Sequence, residues 1–142
     1  MKERDIATLI EYRLEQARTA LEDANYLAEG QRSPQSVVNR AYYAMFYAVL
    51  ALLQKKGIIP SKHTGTISLF DTEFVRTGAL PRDLSRHLHR AFELRQSSDY
   101  RVVERISNGK AIETLSHARR FVAAVESLLS SGTGADEDES LN

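Results

Sequence analysis

Residues 37–56 read VVNRAYYAMFYAVLALLQKK. Apolar residues occupy most positions of this stretch, and nothing in it alternates with period two. A helix that is apolar over most of its circumference is a buried one. This segment is therefore expected to be the central helix of an all-α fold. Its ends carry their own signals. Ser33-Pro34 offers an N-cap followed by proline at the first helical position. Lys55 and Lys56 fall in the last turn, where cations meet the negative end of the helix dipole, and Gly57 lies just beyond as a C-terminal stop.

Upstream, Ile6, Leu9, Ile10, Leu14, Ala17, Leu21, Ala24, Leu27 and Ala28 recur at three- and four-residue steps. That spacing predicts one long amphipathic helix, ended by Gly30. Downstream, IIPSKHTG (58–65) reads as a connection. Ile67, Phe70 and Phe74 mark a shorter helix that stops at Gly78. Pro81 opens a fourth helix, PRDLSRHLHRAFELRQ (81–96), and the polar stretch SSDYRVVERIS (97–107) follows. A last long helix carries Ala111, Ile112, Leu115, Ala118, Val122, Val125, Leu128 and Leu129 on one stripe. Long helices with short connections predict an up-and-down bundle of about five helices. It is expected to occupy residues 1–131 as one domain.

Composition narrows the chemistry. The 142 residues include no cysteine and four histidines, so neither a metal site nor a cofactor is expected. No apolar run is read as reaching the roughly 18 residues of a membrane span. The N-terminal MKERDIATLI is charged and amphipathic, unlike a secretory signal. The expected location is the cytoplasm, away from membranes. The 19 basic and 19 acidic residues cancel, but Asp136, Glu137, Asp138 and Glu139 cluster in the tail SGTGADEDESLN (131–142). Without those four, 15 acids face 19 bases, a net charge of +4. Residues 132–142 read either as a disordered solubilising tail or as a cover for a basic surface.

One residue breaks the pattern of the fourth helix. At 100° per residue, Arg95 falls about 20° from Leu84, between Ala91 and Leu88 on the apolar arc. Arg86, His89, Arg90 and Glu93 lie outside that arc. A guanidinium stays charged, so inside a fold it needs an anionic or multi-acceptor partner. Arg95 either caps carbonyls, pairs with a carboxylate such as Asp99, reaches solvent, or faces a groove and binds phosphate. His87 sits on the edge of the same arc, as a core-edge histidine or a ligand. On the central helix, Asn39 and Tyr43 share a line with Phe46 and Leu50 and need hydrogen-bond partners.

Taken in order, NRAYYAMFYAVLALL, SKHTGTISLFDTEFVRTGALP and AFELRQSSDY resemble the HEPN family (higher eukaryotes and prokaryotes nucleotide-binding), in its small stand-alone prokaryotic branch. The resemblance covers about residues 6 to 129. It implies a helical bundle that dimerises and places its motif regions in a shared cleft. It implies a metal-independent ribonuclease motif, Arg-x(4–6)-His, and a neighbouring minimal nucleotidyltransferase in a toxin–antitoxin pair. That partner can neutralise the toxin by adenylylating a tyrosine near the motif. The family arginine maps onto Arg95. Four residues intervene before Tyr100, where the motif has histidine. Arg82 with His87 or His89 also matches the spacing, but Arg82 projects onto the polar face a full helix too early, and the match is read as accidental.

The departure has a chemical meaning. Cleavage of RNA by its 2′-hydroxyl needs a proton acceptor, a proton donor and stabilisation of phosphorane charge. Arginine supplies the last by bidentate contact. Histidine titrates near neutrality and can do both proton tasks. Tyrosine, with a reference pKa near 10, is a poor base at pH 7, though it can donate a hydrogen bond, stack on a base or accept a nucleotidyl group. The expected site is thus Arg95 and Tyr100 as catalytic candidates, Arg95, Asn39, Tyr43 and His87 as nucleotide or RNA ligands, and Tyr100 as the modified residue. The leading expectation is the RNA-cleaving or RNA-binding toxin of a two-gene module. The alternatives are a non-catalytic nucleotide- or RNA-binding adaptor that docks the nucleotidyltransferase, and a purely structural helical dimer.

Overall fold

The computed structural model describes residues 2–100 and 106–141, with side chains for 2–96 and 106–131. The described residues form five α-helices and no strand: α1 Glu3–Glu29, α2 Pro34–Lys55, α3 His63–Phe70, α4 Arg82–Tyr100 and α5 Asn108–Leu141. The all-α bundle predicted from periodicity is the fold.

The core forms around α2. Tyr42, Met45, Val49, Leu52 and Leu53 are at most 1% exposed. Full burial of one such aliphatic side chain contributes about 1.5–3 kcal/mol. α1 buries Leu14, Ala17, Ala20 and Ala24 and packs mainly on α2, where the three small alanines let the two backbones approach closely. α4 adds Leu84, Leu88 and Ala91, and α5 adds Ala118, Phe121, Val122 and Val125. A smaller cluster of Ala24, Val37, Val38, Ile106, Ala111 and Leu115 closes one end. Taken alone, α2 is long and apolar enough to cross a membrane, contrary to the reading that no run reaches that length. Two-thirds of its apolar window (67%) is buried in the bundle, the disposition of a core helix.

The ends of α2 obey their local signals. Ser33 Oγ accepts from the Ser36 N–H, and Pro34 opens the helix. At the other end the Ile58 N–H reaches the Leu53 carbonyl and the Gly57 N–H the Gln54 carbonyl, with Gly57 at φ 73°. This is a Schellman closure with glycine in the left-handed position. α1 closes the same way one residue later than its sequence suggests. The Arg32 N–H reaches the Leu27 carbonyl and the Gln31 N–H the Ala28 carbonyl. The left-handed residue is therefore Gln31, at φ 53°, and not Gly30.

Two boundaries also differ from the sequence reading. α3 starts at His63, inside the stretch read as a connection. It runs straight into a π-helical turn, Asp71–Val75, closed by the Arg76 N–H on the Asp71 carbonyl. Asp71 then accepts hydrogen bonds from Ser85 and His89, tying this turn to α4. α4 continues through Ser97, Ser98 and Asp99 to Tyr100, where a polar connection was expected. The polar composition there did not end the helix, because no proline or glycine lies between Pro81 and Gly109 to break it. Of the residues expected as an acidic tail, 132–141 belong to α5 and lie outside the described side chains, and 142 lies outside the described residues.

Candidate functional site

Arg95 is half-buried and faces α2. Its guanidinium carbon lies 5.5 Å from the centroid of the Tyr42 ring and 5.0 Å from that of Tyr43. The two rings meet edge to face, with centroids 5.2 Å apart. The electron-rich ring faces attract a cation placed over them. This explains why the apolar arc of α4 tolerates an arginine: its partner surface on α2 is aromatic, not aliphatic. Asp99, the carboxylate weighed as its partner, lies outside the described side chains, as does the phenol of Tyr100.

A second cation meets the same ring. The Arg40 guanidinium carbon is 5.1 Å from the Tyr43 centroid. Arg40 Nε and Nη2 donate to Asn39 Oδ1 at 3.1 and 2.9 Å. Asn39 thus orients Arg40, and among the described residues no carboxylate pairs with that guanidinium. Of the sequence candidates, Arg95, Tyr43 and Asn39 come together here, Asn39 through Arg40.

His87 does not join them. It stacks on His117 of α5, with ring centroids 3.6 Å apart and planes within 5°. Eight residues separate it from Arg95, about 12 Å along the helix. Its Nδ1 is buried and makes no hydrogen bond among the described residues. Burial, then His117, hold its pKa below the usual imidazole value; Arg120 and Arg86 add to this and Asp83 opposes it. His87 serves the α4–α5 contact beside the Arg120–Asp83 ion pair.

The imidazole that does reach the cluster is His63, the first residue of α3. Its Nδ1 lies 3.2 Å from Tyr42 Oη. Its ring stacks on Phe46, with centroids 4.1 Å apart, and meets Tyr43 edge to face at 5.9 Å. Burial, then the Arg95 charge, hold its pKa below the usual imidazole value. Tyr42 is fully buried, and burial pushes its phenol far up, against the pull of Arg95. Tyr42 is therefore a neutral phenol that fixes the imidazole. His63 also lines a cavity of about 160 Å³ with Arg13, Phe46, Leu50, Ile58 and Lys62.

His63, Tyr42 and Arg40 were not singled out from the sequence. Tyr42 reads as one more residue of an apolar helix, and Arg40 as an ordinary surface charge. His63 was legible only as a histidine between Pro60 and Gly65, just ahead of the Ile67, Phe70 spacing that starts a helix. The assembled site offers two guanidinium groups, stacked aromatic faces and one imidazole. Such a surface can hold a phosphate and stack a base. Among the described residues, no group of three or more metal-ligating side chains converges.

Comparison with known proteins places the fold in a family. The profile of the HEPN domain matches residues 10–128. A "UPF0332 protein" of Thermotoga maritima is 39% identical over 121 residues, 85% of this chain and 91% of that protein. A Methanocaldococcus jannaschii protein named "Putative toxin MJ0605" is 31% identical over 126 residues, 89% of this chain and 92% of its own. A second from that organism, "Putative toxin MJ0142", is 37% identical over 91 residues, 64% of this chain and 61% of its own. With its five-helix bundle and the profile match across its body, this chain belongs to the HEPN domain family.

Proposed function

We propose that this protein is the RNA-directed, toxin-type component of a two-gene module, and that its site is the surface of Arg95, Tyr43 and Arg40, with Tyr42 buried beneath it. The observation that carries the reading is the placement of two guanidinium groups against one half-buried aromatic ring, Tyr43. Cations over aromatic faces suit a single-stranded RNA, whose phosphates pair with arginine and whose unstacked bases lie on tyrosine. The names of the two Methanocaldococcus relatives support the toxin assignment. The protein works in the cytoplasm as a homodimer, with a minimal nucleotidyltransferase as cognate partner. Tyr100, the last residue of α4, is the residue that partner modifies with AMP. The test is binding of a labelled single-stranded RNA to wild type and Arg95→Ala. A loss of ten-fold or more in affinity, steeper at low salt, supports the reading. Equal affinities for the two proteins count against it.

A second reading is favoured by one observation: Tyr100 stands where the family motif has histidine. Under it the protein binds RNA and docks the nucleotidyltransferase without cleaving. Incubation with total RNA separates the two, because the adaptor leaves the RNA intact while still binding it.

A further inference from the structure

We propose that His63 is the proton-transfer residue of this site, acting on the 2′-hydroxyl of a bound ribonucleotide in place of the histidine that the Arg95 motif lacks. The inference rests on the RNA reading above and adds a chemical step and the residue that performs it.

The four histidines of the chain sort by their contacts. His87 and His117 stack on each other between α4 and α5. His89 is held by Asp71 at 2.6 Å. His63 alone shares aromatic partners with Arg95: both contact the rings of Tyr42 and Tyr43. Arg95 and His63 stand 32 positions apart in the chain, so no local motif records the pair.

The ring of His63 is held as a catalytic imidazole needs to be. Tyr42 Oη engages Nδ1, and Phe46 stacks on one face. Nε2 makes no hydrogen bond among the described residues. The groups around it are Tyr42 and Tyr43 from α2, Arg95 from α4, neighbouring Lys62, and Arg13 of α1 across the cavity. All are neutral or cationic. They favour the uncharged imidazole, which is the form that accepts a proton. The adjoining cavity has an apolar floor of Phe46, Leu50 and Ile58 and cations from Arg13 and Lys62. It provides a seat for a base next to the imidazole.

In the reactive tautomer Nδ1–H donates to Tyr42 Oη, leaving the Nε2 lone pair available. Nε2 takes the proton of the 2′-hydroxyl. O2′ forms a bond to the adjacent phosphorus while the bond from phosphorus to O5′ breaks. Arg95 pairs with the non-bridging oxygens as charge builds on them. The imidazolium then returns its proton to the departing O5′. The products are a 2′,3′-cyclic phosphate and a 5′-hydroxyl, and no further reactant is consumed. Tyr42 acts through His63 and is a positioning residue.

The experiment uses the full chain and a 5′-labelled single-stranded RNA oligonucleotide containing all four bases. Cleavage, end groups and RNA affinity are measured from pH 5 to 9 for wild type, His63→Ala, His63→Gln and Tyr42→Phe, with His89→Gln as the control histidine. The expected result is slow wild-type cleavage giving cyclic-phosphate ends. Both His63 variants should lose about 100-fold or more, the usual range for acid–base catalysis, with affinity within about three-fold. The wild-type rate should fall on an acidic limb, and Tyr42→Phe should move that limb. The glutamine variant keeps a polar group at position 63, and melting curves identify any variant that fails to fold. Cleavage by a folded His63→Gln protein at the wild-type rate overturns the assignment and leaves the RNA reading standing. So does a wild type that binds RNA through Arg95 but never cuts it. Absence of RNA binding by the wild type sinks both.

Discussion

The Arg95 guanidinium sits 5.0 Å from the centroid of the Tyr43 ring, and Arg40 approaches that same ring at 5.1 Å. Two like charges next to one ring are each attracted by it but repel each other. A phosphate bound by either one weakens that repulsion. Removing Arg95 therefore acts differently on stability and on binding. Arg95→Ala removes these cation–π contacts, worth about 1–2 kcal/mol, whereas a total loss of roughly 3–5 kcal/mol is the mark of a broken buried ion pair. Chemical denaturation together with RNA affinity decides between them. A loss near the larger figure with unchanged affinity points to a structural arginine.

Below pH 6.5 the fold should weaken because of His87. Its pKa in the folded chain lies below the unfolded value of 6.5. Between those two values the unfolded chain binds more protons, so stability falls as pH falls. The contribution is fully present above pH 6.5 and is lost on the way down to the folded pKa. His63 has the same sign. Asp83 titrates below 3.8 and stays out of this window. His87→Gln should flatten the dependence of the urea midpoint on pH between 7 and 5. A midpoint that declines as steeply in the variant as in wild type rules out the stacked pair as the source.

Gln31 occupies a left-handed backbone position that suits glycine. Its φ of 53° costs a residue with a Cβ about 1–2 kcal/mol. Gln31→Gly should raise the melting temperature by a few degrees, with RNA affinity untouched. A lowered melting temperature would mean that the Gln31 side chain contributes more than its backbone costs.

The α1–α2 interface should reject bulk. Ala17 is fully buried against the central helix. Ala17→Leu forces extra methylenes into a filled contact, with an expected cost of about 1–3 kcal/mol. Ala7→Leu, at an exposed position of the same helix, should change stability by less than about 0.5 kcal/mol. Parallel urea curves for the two variants test whether the contact is as tight as the small residues imply.

The proposed homodimer has a direct measure. Sedimentation at micromolar concentration should give about twice the monomer mass of 16.0 kDa. A monomer there removes the shared-cleft arrangement but leaves the Arg95 surface, which one chain builds by itself.

The sequence alone determined what depends on neighbours along the chain. Apolar spacing repeated every three or four residues set the helices, and Ser33-Pro34 and Gly57 set the ends of α2. The placement of Arg95 on an apolar arc was also legible, since a helix projection needs only local geometry. Where the local signals were weak the reading slipped: α3 begins at His63, α4 runs on to Tyr100, and Gln31 rather than Gly30 takes the left-handed turn. The tertiary structure alone decided which faces meet. His87 and His63 are both histidines near apolar spacing, yet one is stacked on His117 and the other is hydrogen-bonded to Tyr42 beside Arg95. Nothing periodic marks that difference. It arises because α2 presents its tyrosines toward both α3 and α4, so that an arginine and a histidine distant in the chain converge on the same two rings.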